Sequence, residues 1–592
     1  MTFTTRPDIT GTFGVVTSTH WMASAVGMRL LERGGNAFDA AVAAGFVLQV
    51  VEPHLNGPAG EFPAIFQKPG EAPQVLCAQG TAPAGATIAH YRAQGLEAVP
   101  GSGLLATVIP GAFDGWMLML RDHGSKRLRD VLEPAIYYAR HGHPVLPRVS
   151  YTIKGLAGFF EAEWPGSAAT WMPGGQAPET GQLFANPRLA DTYERILTEA
   201  ETAKSRTAQI NLARRIWREG FVAEAVDRYI RDTEAMDATG EAHRGVLSGQ
   251  DMAGWEATYE SPVSFDYEGW TVFKTGPWGQ GPVLLQSLSL LGYHDIAARD
   301  PRGADFVHLV TEAMKLSYAD RETYYGDGAA VPLNRLLDPA HTAQRARLIG
   351  PRASLEQRPS RLEGLEHLAD AMIARAARSV SEGGVGAGEP TMAHLSDRRG
   401  DTVHLDVIDR WGNMVAVTPS GGWLQSNPVI PDLGFALNTR AQMFWLEEGL
   451  PQSLAPGKRP RTTLSPSLAH GPGGEALVFG TPGGDQQDQW QLIWFLRMAH
   501  HGMGLQEAID APLFHTSHFT GSFAPRAATP GSLMVEPALG ADVIADLRTL
   551  GHDVTVAEPW TVGRLTAARR GADGLLSAAA TPRMMQAYAV GR

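Results

Sequence analysis

The chain has 592 residues, 44% apolar and 19% charged, the composition of a soluble globular protein with material for a large core. Its net charge of −12, with no long run of one sign, argues against nucleic acid or an anionic membrane as a partner. A single cysteine, Cys77, excludes an intramolecular disulfide framework and a cysteine-rich metal site.

The start, MTFTTRPDITGTFGVV, lacks a basic stretch followed by an apolar run, so the expected location is the cytoplasm. Met22 to Arg33 has helical spacing and stops at Gly34-Gly35. Asn36 then reads as the N-cap of a second helix, Ala37 to Val51, with Asp39 in its first turn. That helix is apolar nearly all round and is expected to be buried, which suggests helices layered over sheets. It carries Asp39 and is too short to span a bilayer. Cys77 reads as a small buried residue with no base beside it.

Tyr151 to Gln250 reads as mostly helical. Pro262 to Phe273 reads as one strand, and Gly279-Gln280-Gly281-Pro282 breaks the chain before a helix at Leu284 to Leu291. Phe306 to Tyr325 is another helix. From Arg352 to Pro390 the composition shifts to Arg, Ala, Gly, Ser and Glu, and an exposed, mobile segment is expected over about 352–401. Beyond Asp401 strands dominate, including Ala476 to Phe479 and Asp553 to Val556, with one helix from Gln489 to His500.

The stretch Gly400 to Asn413, GDTVHLDVIDRWGN, alternates Val403, Leu405 and Val407 with Thr402, His404 and Asp406. Asp409 to Asn413 supply a turn, and Met414 starts a return strand. A hairpin centred on Trp411 pairs Ile408 with Met414, His404 with Thr418 and Thr402 with Ser420, with Cα atoms about 4.5–5.5 Å apart. A threonine opening a strand is ordinarily structural. It becomes a nucleophile when a base lies beside it, and a chain-terminal threonine carries one in its own α-amine, which titrates at about 7.7–8.0. Cutting Asp401-Thr402 would create that residue, and an exposed segment just before it tolerates cleavage.

Two further motifs bear on this chemistry. In FGTPGGD, Phe479 to Asp485, consecutive glycines let backbone N–H groups approach a ligand, as an oxyanion hole requires, although most such stretches are only turns. In GKRPRTTLSP, Gly457 to Pro466, basic residues beside paired hydroxyls suit a carboxylate, or equally a solvated loop. His141, His143, His515 and His518 have no HExxH or cysteine partner and read as surface or loop histidines, so no metal or other cofactor is expected. Trp423 reads as pocket wall or core.

These elements, in this order, resemble the gamma-glutamyltransferase (glutathione hydrolase) family of N-terminal nucleophile hydrolases over nearly the whole chain. GMRLLERGGNAFDAAVAAGFVLQVVEP is similar to that family's GG-N-A-x-D-A-A-V-A signature, and GVLSGQDMAGW, GPWGQGPVLLQSL and HLVTEAMKLSYADRETYYGD sit where the family has comparable segments. The resemblance implies an α+β fold, a four-layer αββα sandwich. It also implies a precursor that cuts itself into a large subunit, 1–401, and a small catalytic subunit, 402–592, with a small-molecule amide as substrate. By position, Thr402 resembles the nucleophile, Ser420 its supporting hydroxyl, and Gly483 and Gly484 the oxyanion pair. Thr462 and Thr463 stand for two serines that bind a substrate carboxylate.

Four positions depart from the family. Its arginine for the glutamyl α-carboxylate is Gln79 here, and an asparagine past the supporting hydroxyl is Gly422. The aspartate that holds the α-ammonium is Met443, and the polar acceptor before it is Arg440. A cation in place of an acceptor and a thioether in place of an anion disfavour a bound ammonium. The expected substrate is therefore a γ-glutamyl amide or, in preference, an amide whose acyl part lacks a free α-amino group, with Arg440 as anchor for a carboxylate on it. Hydrolysis and transfer stay open, as does assembly into homo-oligomers. The alternative is an uncut, inactive homologue that serves as a binding protein; the retained Thr402, Ser420, Gly483 and Gly484 favour the enzyme.

Overall fold

The structure, a computed structural model, describes residues 3–328, 331–380 and 401–592. Two sheets of seven strands each form its centre. In the first, the strands Ala476–Gly480 and Ser467–His470 are flanked by Thr566–Arg570 and Leu576–Ala580 on one side and by Trp270–Lys274 and Val263–Tyr267 on the other. In the second, the hairpin Leu405–Asp409 and Met414–Val417 lies between Gly14–Ser18 and Pro63–Gln67. Val15, Ile65, Ile408 and Met414 from the second sheet pack on Leu468, Val478, Ala568 and Ala578 from the first. Helices Trp21–Glu32 and Ala37–Val51 cover the outer face of the second sheet, and Pro282–Leu291, Ala304–Tyr324 and Gln487–His501 that of the first. This is a four-layer αββα sandwich. Among the described residues no helix is long and apolar enough to cross a membrane.

Strand alternation decides what each side chain meets. Val403, Leu405 and Val407 point into the helical layer, while Ile408 points at the other sheet. Thr402, His404 and Asp406 share the parity of Ile408, so the polar set of this strand faces the sheet interface. His404 Nδ1 is 2.9 Å from Thr418 Oγ1 and its Nε2 is 2.9 Å from Asp406 Oδ1; Thr566 Oγ1 donates to Asp406 Oδ2 across the sheets at 2.7 Å. Burial pushes the Asp406 carboxyl above the usual carboxylate range, against the pull of His404.

The hairpin turn is anchored to the buried helix. Asp409 Oδ1 accepts from Trp411 N at 2.9 Å and Asn413 N at 3.0 Å, and its Oδ2 accepts from Ala37 N at 2.8 Å. Asn36 and Asp39 close a capping box on the helix Ala37–Val51, every residue of which is buried.

Four expectations need correction. Beyond Asp401 the helices Leu505–Asp510 and Ala541–Thr549 join the one read at Gln489 to His500. The strand read over Pro262 to Phe273 is two strands, Val263–Tyr267 and Trp270–Lys274, joined through Glu268 (φ 49°) and Gly269 (φ 81°). Both central residues are left-handed, as a tight hairpin requires, and Glu268 is not a residue that announces such a turn. The segment read as mobile from Arg352 contains the helix Glu366–Arg378, whose Leu368, Ala369, Met372 and Ala376 are buried. Its Arg- and Ala-rich composition hid that apolar stripe. Residues 381–400 of the same segment lie outside the described residues. Finally, His143, His515 and His518 are buried, and only His141 of the four is exposed. Burial holds His515 near pKa 4 and His518 near 3, so both are neutral side chains inside the fold.

The sheets meet closely at Gly480, where an added Cβ would lie 2.2 Å from His404 Cε1. Gly480→Ala should therefore lower stability by about 1–3 kcal/mol, the usual effect of overpacking a close-packed interior, read as a shifted denaturant midpoint; an unchanged midpoint would show that the interface yields freely.

Candidate active site

The sequence hairpin has the register that its turn dictates. Leu405 pairs with Val417 and Ile408 with Met414, and the count continues without a bulge to a bridge between Thr402 and Ser420. Ser420 also bridges Glu61, so Thr402, Ser420 and Glu61 stand side by side at the ends of three adjoining chain segments. All three are buried.

The Ser420 hydroxyl is the hub of this row. It donates to the carbonyl oxygen of Asp401 at 3.0 Å, and it accepts from Thr402 Oγ1 at 3.3 Å and from Arg440 Nη2 at 2.5 Å. A hydroxyl offers one proton and two lone pairs, so these contacts use it fully. Arg440 in turn pairs through Nε with Glu61 Oε1, and its guanidinium lies 5.1 Å from the Trp423 ring centroid. Burial pushes the Glu61 carboxyl upward while the Arg440 charge pulls it down. Trp423 is thus core that also walls the site. The expectation that Arg440 anchors a substrate carboxylate meets a guanidinium already committed to Glu61 and Ser420. Met443 Sδ lies 4.0 Å from Arg440 Nη1, and Gly422 takes a left-handed φ of 67°.

Gly483 and Gly484 follow the strand Ala476–Gly480 of the first sheet, as Thr402 precedes the strand Leu405–Asp409 of the second. Gly483 has φ 135° and Gly484 φ 58°, and a Cβ at Gly483 would lie 2.3 Å from Trp490 Cζ3. Only glycine suits both demands. Asp485, next in the chain, is held by Arg321 Nη1 at 2.5 Å and by Ser522 N and Oγ at 2.9 and 2.6 Å. Those charges hold the Asp485 carboxyl below the usual carboxylate range in spite of its burial.

The GKRPRTTLSP stretch is not a solvated loop. Arg461 is buried against Glu322 at 2.6 Å and Ser522 Oγ at 2.7 Å, and Arg459 pairs with Asp327 at 2.8 Å. Thr462 N donates to Trp278 O at 3.0 Å and Thr462 O accepts from Gln280 N at 2.9 Å, fixing the neighbouring Thr463, whose buried Oγ1 has no partner. Gln79 is also buried, with Nε2 on Gly80 O at 3.2 Å and Oε1 unpartnered.

Two features were not foreseen. Glu61 and Arg564 sit against Ser420 and Asp401 but carry no motif; only the folded sheets bring them there. His308, Glu312 and His552 lie close enough to suggest a metal site. The donors that face one another are already engaged: His308 Nδ1 is 2.8 Å from His552 Nε2, and Glu312 binds Lys315 at 2.6 Å and Arg358 at 2.8 Å, which leaves His552 Nδ1 unpartnered. Two cations on the one carboxylate oppose a third.

The profile of the gamma-glutamyltranspeptidase family matches residues 23–591. The glutathione hydrolase-like YwrD proenzyme of Bacillus subtilis is 30% identical over 97% of this chain and 98% of its own. A solved structure, LmbA2991T421A, is 53% identical, with both chains fully covered and a TM-score of 0.93. The cephalosporin acylase of Bacillus halodurans is 26% identical, covering 100% of this chain and 98% of its own, with a TM-score of 0.81.

Arg440→Met leaves Glu61 buried without its cation and should cost about 3–5 kcal/mol, with part recovered in the Glu61→Gln/Arg440→Met double variant. A double-mutant cycle by chemical denaturation measures this, and strictly additive effects would mean that the pair is not coupled.

Proposed function

This chain belongs to the gamma-glutamyltranspeptidase family, and from that premise we propose that Thr402 is the nucleophile of a self-processing amidohydrolase, acting first on its own Asp401-Thr402 bond and then on a small-molecule amide. The observation that carries the reading is the Ser420 hydroxyl, which contacts both Thr402 Oγ1 and the carbonyl oxygen of the bond to be cut. That carbonyl is polarised by the same group that orients its attacker, and the Arg440 contact keeps the Ser420 proton directed at it.

In self-cleavage Thr402 Oγ1 attacks the Asp401 carbonyl carbon, the C–N bond to Thr402 breaks, and the proton lost from the hydroxyl ends on the freed nitrogen. The resulting ester joins Asp401 to the Thr402 side chain. Water hydrolyses it, leaving an Asp401 carboxylate on one subunit and a free Thr402 hydroxyl and α-amine on the other. The cycle on substrate repeats these bonds. The α-amine takes the Thr402 proton as Oγ1 attacks the amide carbonyl, and it returns the proton to the leaving amine. The tetrahedral oxygen is received by the Gly483 and Gly484 N–H groups, neither of which is donated to another backbone group among the described residues. Water or a second amine then releases the acyl group.

The acyl part lacks a free α-amino group. By the resemblance, Arg440 and Met443 stand where an ammonium would need acceptors and Gln79 offers no charge for an α-carboxylate; all three are buried. The name of the related cephalosporin acylase supports an acyl group other than γ-glutamyl.

On a denaturing gel the purified protein should run as two fragments, 1–401 and 402–592, and Thr402→Ala as one band without amidase activity. A single persistent band from the unsubstituted chain would favour a binding protein instead. Among anilides of equal acyl length, the γ-glutamyl compound should show kcat/KM lower by about 10–100-fold than one lacking the α-amine, the factor that an unmatched ammonium of about 1.5–3 kcal/mol represents. Efficient turnover of γ-glutamyl-p-nitroanilide would sink the altered specificity.

A further inference from the structure

Asp401 is fully buried, and its carboxylate is already bound. Oδ2 pairs with Arg564 Nη1, while Asp401 Oδ1 and Arg564 Nε have no partner. Arg564 precedes the strand Thr566–Arg570 and lines a small cavity with Thr19, Leu55, Arg148, Pro482 and Gln586. Pro482 is the residue before Gly483, so this cavity adjoins the glycine loop. The nearby Glu52 acts on Arg564 at a distance but makes its hydrogen bonds elsewhere: its carboxyl accepts from Thr19 Oγ1 at 2.7 Å and from Gln586 Nε2, and burial raises it to about pKa 8 against the pull of Arg564.

The precursor therefore grips its own acyl residue at two points. Ser420 Oγ holds the Asp401 carbonyl oxygen at 3.0 Å, and Arg564 holds the carboxylate on the same residue. Between those two carbons of an aspartate stand only Cα and Cβ. Cleavage makes Asp401 a chain end, no longer tethered to Thr402. When it withdraws, Arg564 keeps a buried guanidinium facing a cavity, and an uncompensated buried charge is strongly unfavourable. A planar guanidinium with a free Nε is built for a carboxylate.

We propose that Arg564 is the carboxylate-recognition residue of the processed enzyme, that the Asp401 side chain occupies its place in the precursor, and that the acyl substrate is the monoamide of a short dicarboxylic acid with a two-carbon spacing like that of aspartate. This assignment rests on the role proposed above for Thr402. It adds the group that tells one acyl chain from another, in a part of the site separate from Arg440.

The test compares succinyl-p-nitroanilide with butyryl-p-nitroanilide, acyl groups of equal length with and without the carboxylate, on the self-processed full chain. The ratio of their kcat/KM values should be about 100 in the unsubstituted enzyme and fall toward one in Arg564→Gln, mainly through KM for the succinyl compound, with Arg564→Lys between. Because Arg564→Gln also removes the partner of Asp401 and can impair processing, a second measurement uses the unsubstituted processed enzyme alone. Succinate should raise its melting temperature and inhibit competitively, whereas butyrate at equal concentration should do neither. A ratio near one in the unsubstituted enzyme, equal losses on both anilides in Arg564→Gln, or succinate behaving as butyrate would overturn the assignment. A cut chain whose activity on both anilides vanishes in Thr402→Ala but shows no such preference overturns it alone; a chain that stays uncut overturns it together with the role of Thr402.

Discussion

At Gly480 the two central sheets leave no room for a side chain, and the His404 imidazole fills the space that a Cβ would need. This contact sets the distance between the hairpin that begins at Thr402 and the strand that ends in the glycine loop. It works because the interface around it is not uniformly apolar. His404, Thr418, Asp406 and Thr566 form a continuous hydrogen-bonded line across it, and such a line fits only one register, since a slip by one residue would send every partner to the wrong face. Thr402 and the Gly483-Gly484 loop thus follow from different sheets.

Charge is handled in the same buried manner. Arg321, Glu322, Arg461, Asp485 and Ser522 interlock behind the glycine loop, and Glu61 and Arg440 interlock behind Ser420. Buried ion pairs add little net stability compared with apolar packing, but they are costly to break and so resist rearrangement. Around a reacting carbonyl that rigidity has a use: donors aimed in advance need no reorganisation when charge develops. Asp401–Arg564 differs from the rest in one respect. One partner is the residue whose peptide bond is cut under the proposed function, so on that proposal this pair alone among them is arranged to come apart.

Much of the site was legible from the chain. The hairpin count placed Ser420 opposite Thr402 because a strand has a period of two and the turn at Asp409 to Asn413 fixes its centre. The capping box at Asn36 and the burial of Ala37–Val51 followed from local patterns as well. What escaped reading had a weak or misleading local signal. Glu268 takes a left-handed turn that its side chain does not advertise, and the helix Glu366–Arg378 hides a narrow apolar stripe among arginines and alanines. His143, His515 and His518 look like loop polar residues until the layers close over them.

The sequence by itself determined the register of the hairpin and the identity of the residues that meet at its open end, because these depend on periodicity and on neighbours close along the chain, while the four-layer fold was read from the family resemblance. The tertiary structure alone decided what surrounds them. Glu61 lies over three hundred residues before Arg440, and Arg564 well over a hundred after Asp401; no spacing rule links such positions, and it takes strand pairing within the second sheet to bring Glu61 beside Ser420 and Arg440, and the stacking of the first sheet on the second to bring Arg564 to Asp401. The consequence is chemical. Arg440, which the sequence offered as a free cation for substrate, is engaged by Glu61 and Ser420, and the carboxylate bound in the precursor site belongs to Asp401 on Arg564.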